Sequence, residues 1–268
     1  MPLLQTFIVP HPPIILPEIG RGEERKIQAT VDAYETIART IGELKPDTII
    51  LSSPHASHYA NHFQIAGGPQ GVGDFGNFGA DEIVINVEYD REMIEAIINQ
   101  ADINEIPAFS DDDGFDILDH GTMVPLYFIN KEYQDYQLVR ISLSGLTPEE
   151  HYNFGQCIKE AINQSGKNVV YVASGDLSHV LKIDGPYGYV KEGPLFDKIV
   201  TEALGEGDFQ TLINLDERFS DMAAECGLRS FIIMAGVIGD TKIESELLSY
   251  EGTFGVGYAV ATYRMEGD

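Results

Sequence analysis

Seven histidines stand in the chain, at positions 11, 55, 58, 62, 120, 151 and 179. Imidazole is the commonest metal ligand and the side chain best matched to proton transfer near neutrality, so their placement comes first. His11 follows the apolar run ending FIVP, His55 follows the run ending ILSSP, and His179 lies in SGDLSH shortly after YVAS. His120 falls in an irregular DHG segment. In open α/β sheets, ligands gather outside the carboxyl ends of the strands. Three histidines just beyond three different strand ends therefore point to one shared site, although any one of them alone reads as well as a local cap. Pro10 and Pro12 flank His11 and fix the backbone on both sides of it. In SPHASH, His55 and His58 are three apart, but only His55 directly follows the strand, which leaves His58 for the pocket wall.

A third ligand should be anionic. SDMAAECGLRSF sets Glu225 among small apolar residues at the expected start of a helix. A carboxylate there gains from the helix dipole, and if buried it needs a partner, which a metal would supply. Cys226 competes as a softer ligand, better suited to zinc or copper. Two other patterns are weaker. Gly71, Gly73 and Gly76 spell G-x-G-x-x-G, but the segment continues into NFGADEIVINV, which reads as loop then strand and opens no helix. Ser174 and Ser178 near His179 lack the G-x-S-x-G pattern of a serine hydrolase.

The elements that must carry these residues alternate between strand-like and helical runs. Strands are expected at Leu3 to Val9, Thr48 to Ser52, Glu82 to Glu88, Leu138 to Leu143, Asn168 to Ala173, Ile243 to Tyr250 and Val256 to Tyr263. Helices are expected at Glu23 to Leu44, Glu92 to Asn99, Pro148 to Asn163, Pro194 to Leu204 and Ala223 to Val237. Such alternation predicts an α/β protein whose sheet is covered on both faces. Gly67 to Gly79 reads as a glycine-rich loop and Ser110 to Gly121 as an acidic irregular stretch; both are candidate pocket walls.

The 268 residues suit a single domain over 1–268, and 43% hydrophobic content is ample for its core. The net charge of −26 opposes nucleic-acid binding. Two cysteines, Cys157 and Cys226, make no disulfide framework. The apolar opening is broken by prolines and too short for a membrane span, so a cytoplasmic protein without membrane contact is expected.

The segments PHPPIILPEIG, SSPHASHYANHFQI, DHGTMVPLYF, SGDLSH, AECGLRSFIIMAGVI and GYAVATY, in this order, resemble the class III extradiol ring-cleavage dioxygenase superfamily. The nearest likeness is to its Memo-like members of the AmmeMemoRadiSam group. The resemblance implies a three-layer α/β/α sandwich around a mostly parallel or mixed sheet. It implies His11, His55 and Glu225 as a facial triad for non-haem iron(II), with zinc or copper as alternatives. It further implies His179 as acid/base group, His120 as a second pocket histidine, an aromatic diol and O2 as substrates, and a homodimer. The Memo branch has a cysteine near the carboxylate position, so Glu225 and Cys226 both stay open as third ligand. The alternative it carries is a metal-binding protein with a redox or partner-binding role and no ring cleavage.

Overall fold

The apolar runs beginning at Leu3, Thr48, Leu138 and Val169 lack polar alternation, the mark of strands buried on both faces. The computed structural model describes residues 2–111 and 115–266. The first half holds β1 (Leu3–Val9), α1 (Pro17–Gly20), α2 (Gln28–Leu44), β2 (Thr48–Ser53), β3 (Phe63–Ala66), β4 (Gln70–Phe75), β5 (Ala80–Glu88), α3 (Arg91–Ile103), β6 (Ala108–Asp111) and β7 (Phe115–Ile117). Then come α4 (His120–Glu132), β8 (Gln137–Ser142), α5 (Pro148–Ser165), β9 (Val169–Ser174) and α6 (Glu192–Glu206). The chain continues through α7 (Phe209–Ile213), α8 (Glu217–Ala223), α9 (Leu228–Ile238), β10 (Ile243–Glu251) and β11 (Tyr258–Met265).

An eight-stranded sheet runs in the order β10-β11-β1-β9-β2-β8-β3-β6. Its centre, β1-β9-β2-β8, is parallel, while β11 joins β1 and β3 joins β8 antiparallel. Helices flank this mixed sheet in the three-layer arrangement expected, with α2 against α4 and α5 against α9 and α3. The parallel centre sets the carboxyl ends of β1, β9 and β2 side by side. No helix among the described residues is long and apolar enough to cross a membrane.

Several expected boundaries differ. The helix expected over Glu23 to Leu44 opens with a 3₁₀ turn, Glu23–Ile27, before α2 begins. Gly67 to Gly79, expected as loop, contains a strand: β4 pairs with β5 and β7 in a second, three-stranded sheet. A Cβ on Gly73 would stand 2.5 Å from Met123 Sδ and 2.8 Å from the Leu118 carbonyl, so its glycine lets β4 lie directly on the next layer. β4 turns into β5 through a single 3₁₀ turn, Gly76–Phe78, and opens no α-helix, which leaves the G-x-G-x-x-G spacing without its dinucleotide-binding context. Of the acidic stretch Ser110 to Gly121, residues 112–114 lie outside those described; the remainder supplies parts of β6 and α4 and all of β7. Of the expected helix Ala223 to Val237, only the part from Leu228 is helical, as α9; Ala223 is the last residue of α8, and the chain turns left-handed at Ala224 (φ 51°).

Candidate metal centre

Three of the central strands, β2, β8 and β9, end on a serine, and β1 leads through Pro10 to His11. β9 ends on Ser174, whose hydroxyl donates to the Gly121 carbonyl at 2.6 Å. That carbonyl is available because the residue four further along α4 is Pro125, which has no N–H to give it. With its one hydrogen spent, Ser174 Oγ must accept from His11 Nδ1, 3.0 Å away. This fixes the His11 tautomer: Nδ1 carries the hydrogen and Nε2 presents a bare lone pair. Burial, then the neighbouring His55, depresses the His11 pKa to about 3, so the ring is neutral at ordinary pH. The His11 backbone N–H donates to Asp176 Oδ1 at 2.8 Å, and Tyr34 Oη donates to the Pro10 carbonyl, so the segment is held from two sides.

His55 follows β2. Its backbone N–H donates to Ser53 Oγ at 3.2 Å, and its Nε2 lies 3.0 Å from His11 Nε2. His120, the first residue of α4, packs over His55 with ring centroids 4.0 Å apart and meets His11 edge-on at 5.4 Å. Burial, followed by the charges of His55 and His11, lowers its pKa to about 4. Phe78, at the turn between β4 and β5, lies edge-on against His120 at 5.5 Å. The glycine-rich hairpin therefore borders the site through this one aromatic ring.

Glu225 and Cys226 occupy the break between α8 and α9. The Asp176 carbonyl accepts from Cys226 N–H (3.3 Å) and Gly227 N–H (3.0 Å), and Asp176 N–H points at Cys226 Sγ (3.3 Å). So close an approach requires glycine on both sides: a Cβ on Gly175 would stand 2.2 Å from Gly227 Cα. Cys226 Sγ lies 3.7 Å from His11 Nε2. His11, His55 and Cys226 thus bring three ligand atoms within 4.8 Å of one another. Donors on one ion at bond lengths of about 2.0–2.3 Å must lie roughly 3–4 Å apart, so this spacing fits a metal with small adjustment.

Glu225, expected as the anionic ligand, is not part of that set. Its Oε2 accepts from Leu228 N–H at 2.6 Å, tying the carboxylate to the first turn of α9. It lines a small cavity together with His58, Cys226, Leu228 and Arg229, and burial raises its pKa to about 7. Burial, followed by the charge of Asp176, raises the Cys226 thiol well above its ordinary range.

His179 donates its backbone N–H to the Ala223 carbonyl at 3.2 Å and stands against Tyr187, centroids 5.4 Å apart. Its charge acts on both His11 and Asp176. Its Nδ1 is buried with no hydrogen-bond partner among the described residues. His151 is the contrast: fully buried, with Nδ1 on the Thr147 carbonyl and Nε2 accepting from Ser144 N–H, it latches the start of α5. His58 is exposed, and His62 is half-buried and stacks on Tyr59.

Sequence reasoning missed three supporting residues: Ser174, Asp119 and Arg140. Asp119 precedes His120 and caps α4. Burial pushes its carboxyl upward, but the Arg140 guanidinium and hydrogen bonds from Ser53 and Thr122 outweigh this and hold it below the usual range. The DHG and YVASGD segments contained two of these residues, but nothing in their spacing tells which histidine each one serves.

Residues 5–261 match the family described as the catalytic LigB subunit of aromatic ring-opening dioxygenase. The chain is 39% identical over 267 residues to protein CA_C1420 of Clostridium acetobutylicum, an alignment covering 97% of this chain and 57% of that protein. The chain therefore spans little more than half of that relative's length. It is 28% identical over 279 residues to a MEMO1 family protein of Thermococcus onnurineus, covering 91% of this chain and 89% of the relative. It is 26% identical over 300 residues to the 2-aminophenol 1,6-dioxygenase beta subunit of a Pseudomonas species, covering 98% and 94% respectively. With a match of this extent, the chain belongs to the LigB family of catalytic subunits of aromatic ring-opening dioxygenases.

Proposed function

We propose that His11, His55 and Cys226 hold one metal ion and that the protein opens an aromatic diol or aminophenol ring with O2. The observation that carries this reading is the convergence of two imidazole nitrogens and a thiol within 4.8 Å, with the His120 ring packed beside them. Iron(II) is the ion implied by ring-opening chemistry. When bound, such an ion supplies Lewis acidity toward the ring oxygens and a redox partner for O2. The protein's own contribution is positional. His11 is locked by Ser174 with Nε2 facing the site, and His55 is held by Ser53. His179, with a free buried Nδ1, is the group to take the proton from the ring hydroxyl and return it as the product forms. Neutral His120 offers one N–H to the substrate side, and Phe78 and Tyr187, both exposed, set aromatic rings edge-on beside His120 and His179. Arg229 is engaged with Glu217 and Lys182 with the Thr253 carbonyl, so neither is a ready receptor for a substrate carboxylate. An uncharged ring is the better substrate.

A second reading has a specific observation in its favour. Cys226, not Glu225, faces the histidines, and a thiolate is a softer ligand than the carboxylate of an iron(II) facial triad. That donor set also suits copper or zinc in a Memo-like protein that binds metal for a redox or partner-binding role without opening rings. Anaerobic loading with iron(II), and separately with copper(I), followed by O2 and a panel of catechol, 2-aminophenol and protocatechuate separates the two. The first reading expects a yellow ring-opened product from the uncharged substrates with iron. Tight metal binding with no product from any of them gives the second reading the lead.

A further inference from the structure

We propose that Asp119 is the positioning residue of the metal centre, joining the supports of His55, His120 and His11 through one carboxylate anchored on Arg140. Asp119 Oδ1 accepts from Ser53 Oγ–H at 2.6 Å and from Thr122 N–H at 3.0 Å. Its Oδ2 accepts from Thr122 Oγ1–H at 2.9 Å and from Arg140 Nη1 at 3.2 Å. Each bond leads to a histidine. Ser53 Oγ, having donated to Asp119, accepts the His55 backbone N–H. The bonds to Thr122 start α4 at His120. The next residue, Gly121, presents the carbonyl that orients Ser174 and, through it, His11 Nδ1.

An ordinary helix cap does not reach this far. Asp208 and Asp216 cap α7 and α8 by binding helix groups alone. Asp119 also takes a hydroxyl from the end of β2 and a guanidinium from β8, so it joins three elements at one point. Arg140 is 3% exposed, and a buried guanidinium is tolerated only when paired. Its second fork nitrogen, Nη2, binds Asp116 Oδ1 at 2.8 Å, and Tyr89 Oη donates to the same carboxylate. The packing leaves no slack: a Cβ on Gly121 would stand 2.5 Å from Ser53 Oγ and 3.3 Å from His55 Cδ2. A shift of Asp119 therefore moves His55 and His120 relative to each other.

This inference rests on the metal-centre reading, and cobalt(II) tests both without any turnover assay. Cobalt(II) bound to thiolate and imidazole gives charge-transfer and d–d bands whose positions report ligand geometry. Wild type, Asp119→Asn, Asp119→Ala and Ser53→Ala are titrated anaerobically, with thermal unfolding of each metal-free protein alongside. Asp119→Asn keeps an oxygen for Ser53 and Thr122 but turns an amide toward Arg140. Ser53→Ala cuts only the branch to His55 and, as a small buried change, keeps the fold testable should the Asp119 variants unfold. Loss of such supporting partners costs about 10–100-fold in metal affinity. Weakening in that range by Ser53→Ala, with displaced d–d bands and metal-free unfolding near wild type, is the expected result. Wild-type affinity and spectrum in Ser53→Ala and Asp119→Asn would reduce Asp119 to a helix cap and overturn the proposal. Absence of cobalt(II) bands in wild type itself would instead remove the metal-centre reading beneath it.

Discussion

The two nitrogens of His179 and of His151 lead to opposite expectations for the same side chain. His151 has both nitrogens engaged within the fold, whereas His179 keeps a buried Nδ1 free. His179→Ala should therefore retain its metal and lose about 10²–10⁴ in rate, the usual cost of removing a positioned acid/base group. Metal analysis beside single-turnover kinetics checks it, and loss of metal would make His179 a ligand. The adjacent pair Glu225 and Cys226 gives a second contrast. Cys226→Ala should bind iron or cobalt poorly, while Glu225→Gln should bind as wild type with a slightly weakened start to α9; equilibrium dialysis measures both. The reverse pattern would restore the carboxylate as ligand. His11 and His55 were readable because strand ends announce themselves in the sequence. That Cys226 and not Glu225 lies beside them was not, since the two are neighbours in the irregular break between α8 and α9, where no periodicity tells their directions apart.

Elements built on one periodicity were legible, and those that break it were not. β1 and β10 start where the apolar pattern starts, and α5 carries a capping box at Thr147 and Glu150. α4 went unseen because Gly121 and Pro125 depress helix propensity, yet Asp119 caps it and its next layer needs both residues small or donorless. β4 was hidden by glycines that allow it to lie on Leu118 and Met123. α5 crosses α9 where a Cβ on Gly155 would stand 2.1 Å from the Ile233 carbonyl. Gly155→Ala should force these helices apart and destabilise the protein by about 1–3 kcal/mol, read as a lowered midpoint in chemical denaturation. A midpoint at or above wild type would mean the crossing relaxes freely. The latch of α5 carries a pH signature. Burial, ahead of its other influences, lowers His151 to about 4 from 6.5. Between those values the unfolded chain holds the extra proton, so stability is lost as pH falls from 6.5 toward 4. His151→Gln lacks this titration and should lose less stability across the same window, by up to about 3 kcal/mol. Parallel stability–pH curves for the two proteins would contradict it.

At the scale of the whole molecule, a net charge of −26 spreads self-repulsion over the surface. Raising NaCl from low ionic strength to about 0.3 M, where the screening length shrinks below 10 Å, should raise the melting temperature of the metal-free protein by a few degrees. An unchanged or lower value would show that local ion pairs, not net repulsion, dominate. The position of β1 has an implication for synthesis. It is an interior strand, paired with β9 on one side and β11 on the other, so its partners arrive some 160 and 250 residues after it. A nascent chain thus carries His11 out of the ribosome long before Ser174, Asp176 or Cys226 exist to orient it. Until then its imidazole lacks the partners that orient it, and the first strand is an unpaired apolar ribbon. The centre cannot be assembled piecemeal during translation; it closes late, when residues 258–265 seal the outer side of the first strand.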